Sequence, residues 1–491
     1  MQPEYPESAG ARDTLGNNRQ IIFGIVLTGI LMSVLDAVMV NIALPSITRD
    51  FGVPVSLVQW TITGYIVALT SLLVIFGKLS EKVGKARMFL FGLVIFTVGS
   101  CACGFAMNLP ALILFRVIQG IGGAMIYGVT GAVMYLACRP DERGKAMGYL
   151  SATISAGVLA GPSLGGFITE FLGWKYIFLV NVPIGIVLIC CACRYLKIPE
   201  TTTDKLNVDW TGAITLILAI VTLLLTCGEL AGGISPTPAL FAYGALFIVA
   251  LMAFIAREYR CDNPLVDLSV FRSRIFMLPV ISLMLYFVAI HIISVIGPFY
   301  FEGVMGYTPS QVGMIFMLVP LVTIVVSPIS GWLYDRNRWK YVAALGIVII
   351  AGSCFLQGSA SITLDLGIIL AAFVLRGLGS GIFQSPNFTE IMNALPEEKA
   401  AIASSVSSTA RNLGMALGVS LGGVLLTLEL GMSGYQGPVL SAPQGILAGT
   451  VGGILVITGI VCLVSALISC FGSRESRNSQ NQTADREKRP L

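Results

Sequence analysis

Long apolar runs alternate with short polar loops along the whole chain. Each run holds about 20 residues, which is enough for a helix to cross roughly 30 Å of hydrocarbon at about 1.5 Å per residue. A membrane β-barrel would show short segments of alternating polarity instead, so the pattern predicts helices. It predicts fourteen spans, at residues 21–43, 57–79, 88–107, 110–135, 146–169, 176–196, 210–228, 238–256, 275–297, 311–333, 341–359, 366–389, 400–427 and 444–470.

Composition supports the same class. The 491 residues are 55% hydrophobic and 11% charged, with a mean hydropathy of +0.85, which is far from the range of soluble domains. The sequence therefore predicts an all-α polytopic membrane protein embedded in a lipid bilayer. We expect the protein to be a monomer and to have no nucleic-acid partner. Most of the 11 cysteines lie within apolar runs, as small buried hydrophobic residues do, so neither a metal site nor a disulfide framework is expected.

The positive charges predict the orientation. If the amino terminus is cytoplasmic, 25 of the 30 Lys and Arg residues fall on the cytoplasmic side, and only Arg49 and Lys175 face outward. Lys and Arg concentrate in cytoplasmic loops of membrane proteins, so the bias predicts an even number of spans with both termini inside. The tails are residues 1–20 and 471–491, and the expected location is the cell (plasma or inner) membrane.

The chain contains an internal repeat. Three pairs of short stretches recur at nearly one offset, between 254 and 257 positions: Gly77–Lys82 with Gly331–Arg336, Pro140–Arg143 with Pro396–Lys399, and Ser163–Gly166 with Ser420–Gly423. Duplicated halves are common in transporters, whose binding site lies between them. The offset predicts two six-helix halves, at residues 21–196 and 275–470. Residues 197–274 form a linker that contains two extra spans without a deep charge.

Asp36 lies deep within the first apolar run. An ionisable group at that depth costs on the order of 3 kcal/mol or more, so it indicates function rather than packing. Hydrocarbon favours the neutral form of a carboxyl group, which suits a group that binds and releases protons or contacts a cationic ligand.

Arg116 lies in the fourth span at a matching depth. Counted at 1.5 Å per residue, Arg116 is about 9 Å and Asp36 about 8 Å from the outer edge of the membrane. A direct or water-mediated contact between them is therefore expected, and protonation of Asp36 would change its strength. The alternative for Arg116 is a structural side chain that binds helix-end carbonyls or snorkels to the interface.

A short charged loop follows the second span and is partly copied in the other half. Such a loop can lock one conformation, or it can serve only as a determinant of topology. Topology alone does not require an acid at matching places in both copies, which favours the lock. The residues concerned are Gly77, Glu81, Lys82, Gly84, Lys85 and Arg87, with Asp335 and Arg336 in the copy.

The fifth span combines small residues with a proline. Gly157 and Gly161 would allow a neighbouring helix to approach closely, and Pro162 favours a bend. We interpret this stretch as a gate. The second half repeats its Ser-Leu-Gly-Gly end without the proline.

Other polar side chains within spans are expected to line a cavity. His291, the only histidine, is either a proton-binding group or a packing residue. Phe299, Tyr300 and Phe301 are expected to form an outer aromatic belt. The remaining expected cavity residues are Asn41, Gln119, Arg376, Gln384 and Asn387, with Arg376 near the position that corresponds to Arg116.

These features resemble the major facilitator superfamily, and within it the fourteen-helix drug:proton antiporters. The resemblance covers nearly the whole chain. It rests on five stretches: Leu35–Pro45, Gly77–Arg87, Arg116–Gly122, Ala156–Gly166 and Trp174–Gly185.

The resemblance implies export of hydrophobic, often cationic, drug-like compounds in exchange for protons, by rocking of two halves around a central cavity. It implies that Asp36 is the protonation or cation-contact site and Arg116 its proton-transfer partner. The charged loop would stabilise the outward-open state, and the fifth span would supply the antiporter bend. Two positions depart from the family's pattern, since Glu81 replaces a usual Asp and Val38 a usual Thr.

Several functions remain open on the sequence alone. The expected energy source is the proton gradient and no cofactor is expected, because the chain has no G-x-x-x-x-G-K-[ST] loop for nucleotide phosphates. An exporter of one metabolite or an uncoupled facilitator is the alternative transporter. A receptor or scaffold lacks its expected large loop or soluble domain. An enzyme lacks a cluster of acid, histidine and nucleophile near an interface.

Overall fold

The structure is a computed structural model. It describes residues 9–137, 143–196, 198, 209–231, 237–260, 270, 272–337, 341–395, 400–435 and 437–487. Within these ranges the regular structure is helical throughout. The repeated charged stretches at Pro140–Arg143 and Pro396–Lys399 lie outside the described residues, apart from Arg143.

The first half contains eight helices, because two of its spans are interrupted. The second span breaks at Gln59 and the sixth at Val180. The helices are α1 (Ala9–Phe51), α2 (Val55–Val58), α3 (Trp60–Val83), α4 (Lys85–Gly104), α5 (Leu109–Ala137), α6 (Arg143–Phe171), α7 (Lys175–Leu179) and α8 (Asn181–Tyr195).

Among the described residues, the inserted pair forms two α-helices and the second half forms seven, because its tenth span breaks at Met317. The first and last helices, α1 and α17, extend beyond their predicted spans into the polar tails. The helices are α9 (Trp210–Ala231), α10 (Pro238–Arg260), α11 (Arg274–Gly303), α12 (Pro309–Phe316), α13 (Leu318–Asn337), α14 (Val342–Thr363), α15 (Leu366–Asn393), α16 (Ala400–Met432) and α17 (Gln444–Glu487).

The helices match the predicted spans. Among the described residues, thirteen segments are long and apolar enough to cross a membrane. The remaining predicted span corresponds to α9, whose apolar part is Thr211–Leu223. The all-helical polytopic fold is thus confirmed.

The inserted helices pack beside the seam between the two halves. Helix α9 packs on α10 and contacts both α3 of the first half and α16 of the second. Arg257 Nε lies 3.1 Å from Asp209 Oδ2. This ion pair joins the C-terminal end of α10 to the N-terminal end of α9. Helix α10 is the more peripheral of the two, since most of its residues are exposed. The inserted pair therefore covers one side of the seam through α9.

The repeat is visible in the packing. Gly92 of α4 lies against Gly122 of α5, and Gly346 of α14 lies against Gly379 of α15. These are corresponding positions, and at each of them a Cβ atom would collide with the neighbouring helix. The same close helix pair therefore recurs in both halves.

The halves meet near the end of the molecule that carries Arg49 and Lys175, which we call the outer side after the predicted orientation. A Cβ on Gly166 of α6 would strike the carbonyl of Pro309 in α12, and a Cβ on Gly313 of α12 would strike that of Pro162. These two glycines therefore let α6 and α12 touch backbone to backbone.

Polar contacts join the halves at the same end. Arg49 Nη2 lies 3.3 Å from Glu302 Oε2, and the Ser310 amide donates to Glu170 over 3.1 Å. Together with the glycine contacts, they hold the two halves against each other on the outer side.

The expected aromatic belt is wrong. Phe299, Tyr300 and Phe301 are all 0% exposed, whereas a belt residue would face lipid. Tyr300 donates to the carbonyl of Ser361, and Phe301 packs on Phe373 with 5.9 Å between ring centroids. These rings form a core layer of the second half.

Candidate proton and substrate site

Asp36 and Arg116 form an ion pair inside the first half. Arg116 Nη1 lies 2.5 Å from Asp36 Oδ2, and both side chains are 0% exposed. The contact expected from their equal depths is therefore direct. A buried pair of this kind is stable only when hydrogen bonds satisfy its remaining polar atoms.

Two amides complete the shell around the carboxylate. Gln119 Nε2 donates to Asp36 Oδ1 over 3.0 Å, and Asn181 Nδ2 donates to the same oxygen over 2.9 Å. Both amides also reach Ser100 Oγ, at 3.0 and 3.1 Å. Asp36 thus accepts from three side chains that come from α5 and α8.

Arg116 has further partners that do not depend on Asp36. Its Nε donates to the carbonyl of Thr61 over 2.9 Å, and Nη1 also reaches Gln119 Oε1 at 2.7 Å. The guanidinium carbon lies 4.3 Å from the ring centroid of Tyr65, within the range of a cation–π contact. These contacts can hold the cation when its carboxylate partner is neutral.

Glycines in α5 make this geometry possible. A Cβ on Gly120 would lie 2.6 Å from the carbonyl of Tyr65, and one on Gly122 would strike the backbone of Phe96. Helix α5 therefore packs tightly between α3 and α4. This position brings Arg116 close to Asp36 on α1.

Several expected cavity residues are buried instead. Gln119 and Asn387 are 0% exposed and Arg376 is 2% exposed. Gln119 belongs to the Asp36 network, and Arg376 donates to Gln357. Because Gly122 corresponds to Gly379, Arg376 lies at the position of Gln119, one turn from the position of Arg116.

Three expected cavity residues are half-buried. Asn41 donates to the carbonyl of Ala37, and Gln384 donates to the Tyr286 hydroxyl over 2.9 Å. His291 Nδ1 lies 2.9 Å from the carbonyl of Phe287, which is a local helical contact. Each of these side chains is held by a neighbour and leaves part of its surface accessible.

The charged loop lies on the side opposite the outer contacts. Glu81, Lys82 and Arg87 are exposed, and Gly77 packs 3.6 Å from the carbonyl of Gly128. Gly84 adopts a φ of 98°, a conformation that favours glycine, and starts α4. Lys85 is half-buried and has an interaction partner.

In the second copy of this loop, the Asp335 side chain lies outside the described part of the structure. Arg336 is exposed, and its guanidinium carbon lies 5.3 Å from the Trp332 ring centroid.

The fifth-span glycines pack on α1, on the helix that carries Asp36. A Cβ on Gly157 would lie 2.7 Å from Val34, and one on Gly161 would lie 2.7 Å from Val38. Pro162 lies inside α6 next to this contact and touches Gly313 of the other half. The pair of Asp36 and Arg116 and the contact between the halves are thus linked through one helix.

The sequence missed three members of the site. Asn181, Ser100 and Tyr65 surround the ion pair, and each is at most 2% exposed. Asn181 stands in the Trp174–Gly185 stretch that carries the family resemblance, so that motif was the one signal available for it. Serines and tyrosines are too common within these spans to be selected by residue type.

Comparison with known proteins identifies the family. The pattern of the Major Facilitator Superfamily matches residues 26–419. The chain belongs to this superfamily, whose members are transporters and not enzymes. It is therefore a multi-pass membrane transporter of small molecules.

Two characterised relatives carry different names. The riboflavin transporter RibZ of Clostridioides difficile (strain 630) is 32% identical over 403 residues, covering 82% of this chain and 86% of RibZ. The multidrug export protein EmrB of Escherichia coli (strain K12) is 30% identical over 398 residues, covering 79% and 77%. A solved bacterial homologue of the human lysosomal transporter Spinster shares the fold, with a TM-score of 0.66, 15% identity, and coverage of 93% and 97%.

Proposed function

We propose that this transporter exports hydrophobic, drug-like small molecules in exchange for protons by alternating access. The observation that carries the proposal is the buried pair of Asp36 and Arg116, in which the carboxylate accepts hydrogen bonds from Arg116 and from two amides, those of Gln119 and Asn181. Such a shell fits the charged form of Asp36. Proton binding therefore conflicts with the arrangement and favours another one.

Proton binding conflicts with the hydrogen bonds at either oxygen of the Asp36 carboxylate. A proton on Asp36 Oδ2 would face the Arg116 Nη1 donor, and one on Oδ1 would face two amide donors. Either way two donors would point at each other, so at least one contact must open. Arg116 keeps Thr61 and Tyr65 as partners when this happens. Protonation thus changes the contact between α1 and α5.

Export follows from the order of these events. Asp36 takes a proton while the cavity is open outward, and the change favours closure of the outer side. The structure has that side closed through α6 and α12. Release of the proton inward restores the ion pair and prepares the site for the next substrate. The gradient supplies the energy, and no cofactor takes part.

The remaining sequence predictions belong to this proposal. Gly157, Gly161 and Pro162 carry movement from α1 to the contact between the halves. The loop residues from Gly77 to Arg87, with Asp335 and Arg336, lock the outward-open state. The protein works as a monomer in the cell membrane with both termini cytoplasmic.

The class of substrate is drawn from the relatives. EmrB is named for multidrug export, and that name supports a broad range of hydrophobic, often cationic, compounds. RibZ is named for riboflavin, so the likeness to it favours a second candidate, a transporter of one metabolite. The two candidates differ in breadth of substrate and share the proton site.

A liposome experiment tests proton coupling. Purified protein is reconstituted in liposomes that hold a pH-sensitive dye, and lipophilic cations and neutral drugs are added under an imposed proton gradient. We expect compound-triggered proton movement that is lost in Asp36→Asn. The control is Asp365→Asn, because Asp365 caps α15 at the outer surface and asparagine caps as well. Substrate movement that ignores both the gradient and Asp36 would leave an uncoupled facilitator.

A further inference from the structure

Arg411 differs from the other two arginines within the spans. Arg116 and Arg376 are 0% and 2% exposed, and each has a side-chain hydrogen-bond partner. Arg411 of α16 is exposed. It lies five residues after Val406, where the apolar segment of α16 begins, so it is about 8 Å inside the membrane.

Arg411 lies near the first half. Helix α16, which carries it, packs against α3 of that half, and Arg411 interacts electrostatically with Tyr127 on α5. Because the side chain is also exposed, we place it in the space between the two halves.

Arg411 has no carboxylate partner among the described residues. Within the described part of the chain, it makes neither a hydrogen bond nor an ion pair. Asp36 already binds Arg116 and is 0% exposed. An unpaired guanidinium in a low-dielectric cleft attracts anions more strongly than one in bulk water.

Two aromatic residues lie beside the face of α16 that carries Arg411. Gly414 and Gly418, three and seven residues after Arg411 on the same face, pack against Phe287 and His291 of α11. Phe287 and His291 are half-buried. Their rings lie 6.1 Å apart between centroids. Part of the surface of both rings is therefore accessible on the side of α16 that carries the cation.

We propose that Arg411 binds the anionic group of an amphipathic substrate, a carboxylate or a phosphate attached to an aromatic body. The proposal deepens the proposed export function and rests on it. The guanidinium pairs with both oxygens of such a group, and the rings of Phe287 and His291 contact the apolar part. Arg411 is then a specificity residue that admits organic anions besides neutral and cationic compounds.

The anion could come from the substrate or from a lipid headgroup that reaches the inner end of the seam. Both sources share the same chemistry at Arg411. They differ in how binding of a soluble anionic probe depends on the lipid composition. A substrate site binds the soluble anion in a bilayer of neutral lipid, whereas a headgroup site is filled by anionic lipid and excludes the probe.

Equilibrium binding tests the proposal. The full-length protein is placed in phosphatidylcholine nanodiscs without a pH gradient, and three fluorescent probes of one size are titrated. They are dansylglycine, its uncharged amide, and the cation monodansylcadaverine. The variants are Arg411→Gln and Arg411→Lys, with size-exclusion chromatography to check folding. Arg272→Gln is the matched control, because it removes an exposed cation on the same side outside the spans.

We expect wild-type protein to bind the acid about tenfold more tightly than its amide, since a charge-assisted hydrogen bond is worth about that factor. Arg411→Gln abolishes the preference, Arg411→Lys retains part of it, and Arg272→Gln leaves it intact. A wild-type protein that binds no acid, or a preference that survives in Arg411→Gln, overturns the proposal.

A second set of discs containing phosphatidylglycerol separates the two sources. If the preference for the acid persists, the anion is part of the substrate. If phosphatidylglycerol removes the preference of the wild-type protein, Arg411 binds a headgroup and the substrate proposal fails. Because no gradient is applied, a failure of proton coupling would leave these binding results unchanged.

Discussion

Arg116 Nη1 and Asp36 Oδ2 lie 2.5 Å apart, with neither side chain exposed. The pair joins α5 to α1, and α1 in turn packs on α6, which touches the second half. We propose that a change of charge at Asp36 acts, through α1, on the contact between α6 and the second half.

The first prediction concerns the energy of this pair. Removing one member of a buried ion pair costs about 3 to 5 kcal/mol in soluble proteins, and residues in one network are coupled. We expect Asp36→Asn and Arg116→Gln each to lower the melting temperature in detergent. The double variant should be about 1 to 3 kcal/mol more stable than the sum of the single effects. Additive losses would show that the two residues do not interact.

The second prediction concerns Asn181. Its amide is one of two that donate to Asp36 Oδ1. Asn181→Ala therefore removes one hydrogen bond and leaves that oxygen with Gln119 as its donor. We expect about a tenfold loss of proton-driven transport, the size expected for a missing buried hydrogen bond to a charged group. Gradient-free substrate exchange should be retained. The control is Asn108→Ser, which removes an exposed amide at the outer surface and leaves a side chain that can still cap α5.

The third prediction concerns closure of the outer side. Gly313→Ala places a methyl group against the backbone of Pro162, so α6 and α12 must separate. Hydrogen exchange followed by mass spectrometry should then be faster at the outer ends of both helices. Gly431→Ala serves as the control, because a Cβ there meets nothing within 4 Å. Unchanged exchange in Gly313→Ala would contradict the assignment of this contact.

The fourth prediction concerns the ion pair at the outer surface. The Arg49 side chain is 64% exposed and that of Glu302 4%. Surface pairs contribute about 1 kcal/mol or less and weaken in salt. We expect Arg49→Gln to change the transport rate by less than about fivefold. The wild type at 0.5 M salt should approach the variant. A large loss that is insensitive to salt would mean that Arg49 has another role.

The contact between Asp36 and Arg116 could be predicted because helix geometry converts sequence position into depth. When the rise per residue is counted from the end at which each span enters the membrane, Asp36 and Arg116 lie at nearly the same depth. Depth does not give rotation about the helix axis, however. For that reason Gln119, Arg376 and Asn387 were expected at a cavity surface and are buried instead.

The break at Gln59 and the core aromatics could not be predicted for a related reason. No residue around Gln59 distinguishes a break from a continuous span, whereas Pro320 is a signal for the break at Met317, because proline has no N–H to donate to the Phe316 carbonyl. Gln59 lies against Gly423 of α16, and the Met317 sulfur lies 3.2 Å from Ser163 Oγ of α6. Phe299, Tyr300 and Phe301 likewise face the protein because α12 and α15 cover them.

The most direct test of the central claim compares exchange with accumulation in the same vesicles, using a substrate identified by the proton-movement screen. We expect Asp36→Asn to exchange substrate at equal concentrations on both sides, because the neutral amide resembles protonated Asp36. We also expect it to accumulate no substrate under a proton gradient, whereas wild-type protein does. Accumulation by Asp36→Asn at the wild-type level would show that Asp36 does not couple protons to transport.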